Sequence, residues 1–507
     1  MSAPAPAVRL HRFHGGLALP GHKAESTAGG LRTCPAPALL RVPMLQHAGE
    51  AAEPCVVAGE PVARGQRIGI ARGASGADVH APRGGRVRAV EPAEVPQLPG
   101  VPVAHVVIEV ADDAPTVAMP PLAPDADPEL LRARLRDAGL VGLGGAGFPT
   151  AEKTAVRRER LVVNGAECEP WIACDDALLR QHADEVVLGA RVLARIVGAS
   201  VVQLAVEDSM GEALAACRAA VETHGGGEVE VVVVPTRYPE GGERQLIQVL
   251  TGLEVPRGGL PRDIGVVVQN VGTARAAWRA VALGEALVER VVTVTGPGVA
   301  RPGNFVVPLG TPVSFLVAQA GGYTPAAKRL LLGGPMMGLA LPHDDVPLGK
   351  THNCVLVLGG AELRAAGDEM PCIRCGDCAS ACPSRLLPQQ LLWQSRAGRL
   401  DDARSQGLFD CIECGCCDLA CPSHIPLTQQ FRVAKNELRA RDAAAASAEA
   451  ARQRFELRQQ RLEREAAERE AKLAARKAAA SPEGVAAALE RARARRAGAA
   501  NDRNEPG

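Results

Sequence analysis

Three things are missing from this sequence, and each shortage closes off a class of function. There is no excess charge: 57 Lys and Arg balance 57 Asp and Glu over 507 residues, so no chain-wide basic field marks a nucleic-acid binder. No uncharged apolar run approaches the about 18 residues that a membrane-spanning helix needs, so membrane contact is expected only through partners. The opening MSAPAPAVRLHRF has no apolar core of the kind a secretory signal carries, and none is expected. Cysteine, by contrast, is plentiful, with fifteen in the chain. Such usage suits disulfides only in a small secreted protein. Here eight cysteines fall in two tight motifs and seven are scattered (Cys34, Cys55, Cys168, Cys174, Cys217, Cys354, Cys416), which points to a reducing compartment.

The two motifs are an internal repeat. Residues 372–384 read CIRCGDCASACPS and residues 411–423 read CIECGCCDLACPS; offset by 39, they agree at nine of thirteen positions. Both follow C-x2-C-x2-C-x3-C-P, the spacing of bacterial two-cluster ferredoxins. Three cysteines at intervals of three wrap a loop around one cubane, and the fourth, before proline, ligates the partner cluster. On that pattern Cys372, Cys375, Cys378 and Cys421 hold one cluster, and Cys411, Cys414, Cys417 and Cys382 hold the other. Cys416 falls opposite Asp377 and is the spare. Structural zinc is the alternative for paired CxxC motifs. Zinc sites usually separate their cysteine pairs by a longer loop, so two [4Fe–4S] clusters are the expectation.

At this length the chain has room for three or four domains. Residues 28–111 are short β-branched runs punctuated by Gly and Pro, which predicts a small β-domain with tight turns. Its phrase G-x-x-V-x-x-G-Q-x-I (Gly59 to Ile68) resembles lipoyl-type barrel-sandwich domains, but no lysine lies between Cys55 and Val110 to carry a swinging arm. A scaffold or docking role is expected instead. From about 125 to 290, strand-like runs (161–164, 201–206, 229–234, 264–270) alternate with helical ones, the signature of an α/β domain with a largely parallel sheet. Residues 290–345 return to short strands, a small α+β unit whose Met336–Met337 pair reads as core filling. The cluster domain comes next, then an Ala-, Glu- and Arg-rich stretch expected to be a solvated helix with a frayed end, NDRNEPG.

Residues 142–150 read GLGGAGFPT, four glycines in six residues. The G-x-G-x-x-G match is in the wrong context for a dinucleotide fingerprint, because a helical run precedes it and Pro149 interrupts the helix that should come after it. Such a loop still lets backbone approach a planar or phosphorylated ligand, and Lys153 lies beyond it at a distance suited to phosphate. A strand then ends in NGAECEP (164–170), where a sheet presents amide and carboxylate groups to a ligand. From these residues alone, a nucleotide or flavin site competes with a tight turn and a solvated strand end.

GGAGFPT (144–150), Lys153, NGAECEP (164–170), YPEGGERQL (238–246), NVGT (270–273) and GGPMMG (333–338), followed by the twin cysteine motifs, together resemble the C subunits of Rnf (Rsx) ion-translocating electron transport complexes. The likeness runs from about residue 10 to 432. The middle region is also similar to the FMN- and NADH-binding subunit of respiratory complex I. The resemblance implies an FMN site at Gly142, Gly144, Gly145, Gly147, Lys153, Asn164, Glu167, Glu169, Tyr238, Gly241, Glu243, Asn270 and Thr273. Leu143, Gly242 and Gln269 depart from the complex I pattern, which has Arg, Glu and Asn there. The implied architecture is multidomain α/β: a barrel-sandwich-like β-domain (1–115), a Rossmann-like FMN/NADH domain (120–288), an SLBB or β-grasp-like α+β domain (289–345), a helical two-[4Fe–4S] ferredoxin-like domain (365–432) and a charged helical or disordered tail (433–507).

The implied activity is electron transfer between NADH/NAD+ and a membrane complex through FMN and two [4Fe–4S] clusters, with other subunits coupling it to Na+ or H+ movement. The implied location is peripheral, on the cytoplasmic side of the bacterial inner membrane. Partners would include an iron–sulfur subunit and, indirectly, ferredoxin or a redox regulator. A soluble flavin–iron–sulfur dehydrogenase and an electron-carrying scaffold without flavin are the alternatives.

Overall fold

The computed structural model describes residues 9–73, 75–98, 100–363 and 367–501. Residues 1–8 of the opening run, the expected domain start at 365–366 and residues 502–507 of the expected frayed end lie outside the described residues. The chain divides into two units, Met1–Arg432 and Val433–Gly507.

In the first unit, the Gly- and Pro-punctuated N-terminal runs form two small antiparallel sheets. One orders its strands Leu39–Pro43, Pro102–Val110, Gly85–Glu94 and Pro61–Val62; the other joins Glu53–Pro54, Arg67–Ile70 and Val79–His80. Alternation drives their inward residues, among them Leu40, Val42, Ile68, Val87, Val106 and Ile108, into one core.

The alternating region folds as expected into a parallel sheet. Its order is Val229–Val234, Val201–Glu207, Arg160–Gly165, Val266–Asn270. These valine runs are continuous because both faces are covered. Leu161, Val163, Leu204 and Val206 point to one core, with the helices Cys174–Val197 and Val271–Ala282. Val162, Ala205, Val232 and Val268 point to the other, with the helix Glu243–Thr251. The two helices of the first face touch so closely that a Cβ on Gly189 would collide with the Ala274 carbonyl.

A six-stranded mixed sheet comes next, and here sequence expectation and structure differ. Its core hairpin, Glu289–Thr295 with Gly303–Pro308, lies in the expected α+β unit. Its flanks do not: Leu31–Thr33 pairs in parallel with Gly303–Pro308, and Cys354–Leu358 pairs in parallel with Glu289–Thr295. A two-stranded ribbon would leave unpaired backbone on both edges, and remote segments supply the partners. Met336 is half-buried, but Met337 is 49% exposed, so the pair is core filling only at its first member.

The second unit comprises the helix Leu427–Ala480 from residue 433 onward and the helix Pro482–Asn501. From residue 439 to 497 it is almost wholly exposed, and it is laced by ion pairs such as Arg441–Glu437 at 2.9 Å and Arg452–Glu449 at 3.0 Å. Among the described residues no helix is long and apolar enough to cross a membrane.

One buried cation fastens three segments of the first unit. Lys350 is fully buried, and its Nζ donates to the carbonyls of Asp78 and Gly139, each at 2.7 Å. Burial pulls its ammonium down to about 7. Lys350→Met keeps the volume and removes both donors, so it should cost about 2 kcal/mol near pH 7. An unfolded lysine titrates near 10.4. The unfolded chain therefore holds the extra proton between the two values, and wild-type stability from this group rises with pH across that window. The deficit of the variant should widen from pH 7 to 10 in chemical denaturation; a constant deficit would show that the ammonium is not strained.

Candidate functional site

The chain runs outward from Arg160–Gly165 through two strands on one side, then returns to its other side with Val266–Asn270. That reversal opens a crevice at the carboxyl ends of the strands, the usual ligand position in open parallel sheets. Asn164 and Asn270 face each other there as register partners. Asn270 caps the helix Val271–Ala282, accepting from the Gly272 amide at 2.8 Å, and its Nδ2 donates to Asp175 at 2.6 Å.

The glycine loop lies against this pair. Its entrance is tied down by the Leu143 amide donating to Thr273 Oγ1 at 2.9 Å and the Gly142 amide donating to the Phe148 carbonyl at 2.8 Å. The loop glycines differ in what surrounds them. A Cβ on Gly144 would lie 3.4 Å from Asn270, and one on Gly147 would lie 2.6 Å from Thr351. Gly145 has φ +109° and nothing within 4 Å of a Cβ position. Gly144 and Gly147 thus serve packing, whereas Gly145 turns its backbone toward open space.

The other expected residues fall into three groups. Lys153 is ion-paired with Glu243, and Asn164 Nδ2 donates to the Gly241 carbonyl at 2.9 Å, which joins four of them in two pairs. Glu167 is engaged by protein: its carboxylate accepts from the Asp175 amide at 3.0 Å and the Asp176 amide at 3.3 Å, stabilising the start of the helix Cys174–Val197. Glu169 accepts from the amides of Met336 and Met337 at 2.8 and 3.0 Å, holding the GGPMMG loop. Tyr238 is buried, and its hydroxyl donates to the Cys414 carbonyl at 2.7 Å, toward the cysteine region.

Two acids escaped the sequence reading. Glu207, at the end of its strand, and Glu240, inside YPEGGE, are buried at 0% and 1% exposure with carboxylate oxygens that have no hydrogen-bond partner. Burial pushes Glu207 up to about 7 and Glu240 up to about 8, each raised further by neighbouring acids. Their position at a strand end and beside a glycine turn was the available signal. Burial and Glu167 together push Asp175 upward as well, so this edge carries protons that free carboxylates would release.

The cysteine repeat is a repeat of backbone too. Arg374 and Glu413, 39 residues apart, share φ near +60° (60° and 58°), and Arg385 and His424 both have φ 53°. The short helices Asp377–Ala381 and Cys416–Ala420 stand at the same offset. Cys372, Cys375, Cys378 and Cys421 line one cavity, of about 220 Å3. Cys382, Cys411, Cys414 and Cys417 line another, with Cys416 at its wall. Each cavity therefore draws three cysteines from one copy and one from the other. Burial pushes the thiols of Cys378, Cys382 and Cys417 upward, so holding several thiolates here calls for metal charge. Two sulfur quartets on crossed loops fit paired iron–sulfur clusters.

Comparison with known proteins extends this. The C subunit of the ion-translocating oxidoreductase complex of Pseudomonas aeruginosa is 47% identical over 453 residues, covering 88% of this chain and 58% of that protein. That of Serratia proteamaculans is 43% identical over 455 residues, covering 88% and 64%. That of Yersinia pestis bv. Antiqua is 43% identical over 454 residues, covering 88% and 72%. The chain belongs to this C-subunit family. It spans 58% and 64% of the length of the first two relatives. Family models match the RnfC barrel sandwich hybrid domain at 11–113, the Nuo51 FMN-binding domain at 135–279, the SLBB domain at 291–340 and a 4Fe-4S dicluster domain at 371–425. Among solved structures, an NAD+-reducing [NiFe]-hydrogenase in the air-oxidized state aligns at TM-score 0.46 and 22% identity over 62% of this chain and 64% of that one, a likeness too distant to assign anything here.

The crossed lining yields a ligand test. Cys421→Ala should damage the cluster whose other cysteines are Cys372, Cys375 and Cys378, not that of its sequence neighbours. Cys416→Ser should keep about eight iron atoms per chain, as two four-iron clusters require. Paramagnetic resonance of the reduced variants separates the signals; loss of a cluster in Cys416→Ser would reverse the ligand assignment.

Proposed function

We propose that this chain is the electron-transferring, NADH-linked subunit of an ion-translocating membrane complex. It would hold FMN in the crevice beside Gly145, and [4Fe–4S] clusters on the quartets Cys372, Cys375, Cys378, Cys421 and Cys411, Cys414, Cys417, Cys382. The observation that carries the reading is the union of an open glycine loop at a parallel-sheet switch point with two crossed sulfur quartets in one unit. Bound FMN supplies the conversion between the hydride pair of NADH and the single electrons that iron–sulfur clusters carry.

The protein's own work is binding and exclusion. Gly145 offers backbone without a side chain, and Gly142, Gly144 and Gly147 fix the loop around it. Lys153, now paired with Glu243, stands ready to meet a phosphate, and Asn164 and Asn270 offer amide groups from paired strand ends. Glu167, Glu169, Tyr238, Gly241 and Thr273 hold the surrounding turns in place. The relatives' names and the lack of a spanning helix among the described residues support a peripheral subunit. We place it on the cytoplasmic face, with ion coupling and an iron–sulfur partner supplied by other subunits.

Gly145→Val tests the site. A β-branched residue is strained at φ +109° and would occupy the space kept open for ligand. The variant should retain about eight irons per chain and dithionite reduction of both clusters, yet lose flavin and reduction by NADH. Stoichiometric flavin with full NADH reduction would place the site elsewhere.

A further inference from the structure

Building on the reading of the two quartets as cluster ligands, we propose that Tyr238 and Cys416 are positioning residues that hold the potential of the Cys382–Cys411–Cys414–Cys417 cluster apart from that of its repeat copy. The duplicated motif would then carry two inequivalent one-electron sites, and the tuned one would be the one built against the nucleotide-binding region.

Equivalent positions in the two copies have different surroundings. The two loops share sequence and backbone at an offset of 39 residues, so differences between them reflect what covers them. In the first copy the loop is bare: Cys375 is exposed, Ile373 is 68% exposed and Asp377 is exposed. In the second, Cys414 is 7% exposed, Ile412 is half-buried and Cys416 is fully buried. The cover is the chain itself. Tyr238, Ala381, Cys414 and Cys416 form one apolar cluster, with Leu17 and Met336 packed against it.

Burial alone would make this cluster hard to reduce, because added negative charge is disfavoured away from water. Two donors work against that. The Tyr238 hydroxyl donates to the Cys414 carbonyl at 2.7 Å, aiming the positive end of its dipole at the ligand loop. Cys416 is buried in the same cluster as Cys414 and lines the same cavity as the four expected ligands. Outside the quartet, its thiol is the S–H donor that a ligand sulfur would meet once Cys414 binds metal as a thiolate. A donor to a ligand sulfur favours the more negative, reduced state and raises the potential. The first copy has an exposed carboxylate, Asp377, where the second has this thiol.

Tyr238 also connects this cover to the crevice. It shares a turn with Gly241, whose carbonyl accepts from Asn164 and whose amide donates to Cys168 Sγ at 3.1 Å. The same turn therefore touches the strand end proposed for flavin and the backbone of a cluster ligand.

The test is an anaerobic redox titration of the full chain followed by paramagnetic resonance, with iron counted in every variant. Tyr238→Phe and Cys416→Ala should each keep about eight irons per chain and lower one of the two midpoint potentials, the same one in both. Cys416→Ser, which retains a donor, should stay near wild type, and Asp377→Ala should leave that potential in place. Eight irons with both midpoints unmoved in Tyr238→Phe and Cys416→Ala, or with both midpoints shifted equally, overturns the proposal while leaving the cluster reading intact. Fewer than eight irons in the wild-type chain overturns the cluster reading, and the proposal with it.

Discussion

The turn Tyr238–Gly241 is the joint on which this architecture depends. Within four residues it reaches three parts of the chain. Its first residue pairs through backbone with Leu17 and through its hydroxyl with Cys414; its last accepts from Asn164 at the sheet edge. Gly241 has to be glycine, since a Cβ there would run into the Ala166 carbonyl. Around this turn the α/β region and the cysteine-rich segment also meet in the ion pairs Arg257–Asp410 at 2.6 Å and Arg385–Glu254 at 2.9 Å. Hydrogen bonds between buried polar groups, costly to leave unmade, hold the two in a fixed relation.

A second constraint is the spacing of the cysteine repeat. Because the proline-terminated cysteine of each copy faces the cavity of the other, neither cavity is complete until both copies have folded. The segment between them carries the helices Pro388–Arg396 and Leu400–Ser405, and the first lines the cavity of Cys372, Cys375, Cys378 and Cys421 through Gln389, Leu392 and Trp393. The two quartets are therefore one structural unit even though their surroundings differ.

The periodic features were legible in the sequence: valine runs buried on both faces, the glycine loop, and a repeat whose offset reappears in the backbone angles. What was not legible depends on long-range pairing. Nothing local marks Leu31–Thr33 as an edge strand for a sheet whose other members begin at 289, or Lys350 as a cation that will lose its water to two carbonyls. Tyr238 was assigned by resemblance to the flavin site, while its hydroxyl is spent on Cys414, 176 residues away. Glu207 and Glu240 look like ordinary surface acids in a charged chain; only burial makes them exceptional.

Those acids bear on how the crevice handles charge. Glu207 has both oxygens unpartnered, and the nearest cation is Lys23 Nζ at 4.0 Å, which also donates to the Glu167 carbonyl. Arg290, buried at 6% exposure, lies near Asp175 and Glu167 and is bonded to the carbonyls of Lys350 and Leu143. With two cations engaged and several carboxyls raised, the edge approaches neutrality by keeping protons rather than by adding bases. Burial holds Glu207 at about 7 and Glu240 at about 8, so these carboxyls carry only part of their charge at neutral pH. The repulsion at this edge is therefore smaller than the count of acids suggests.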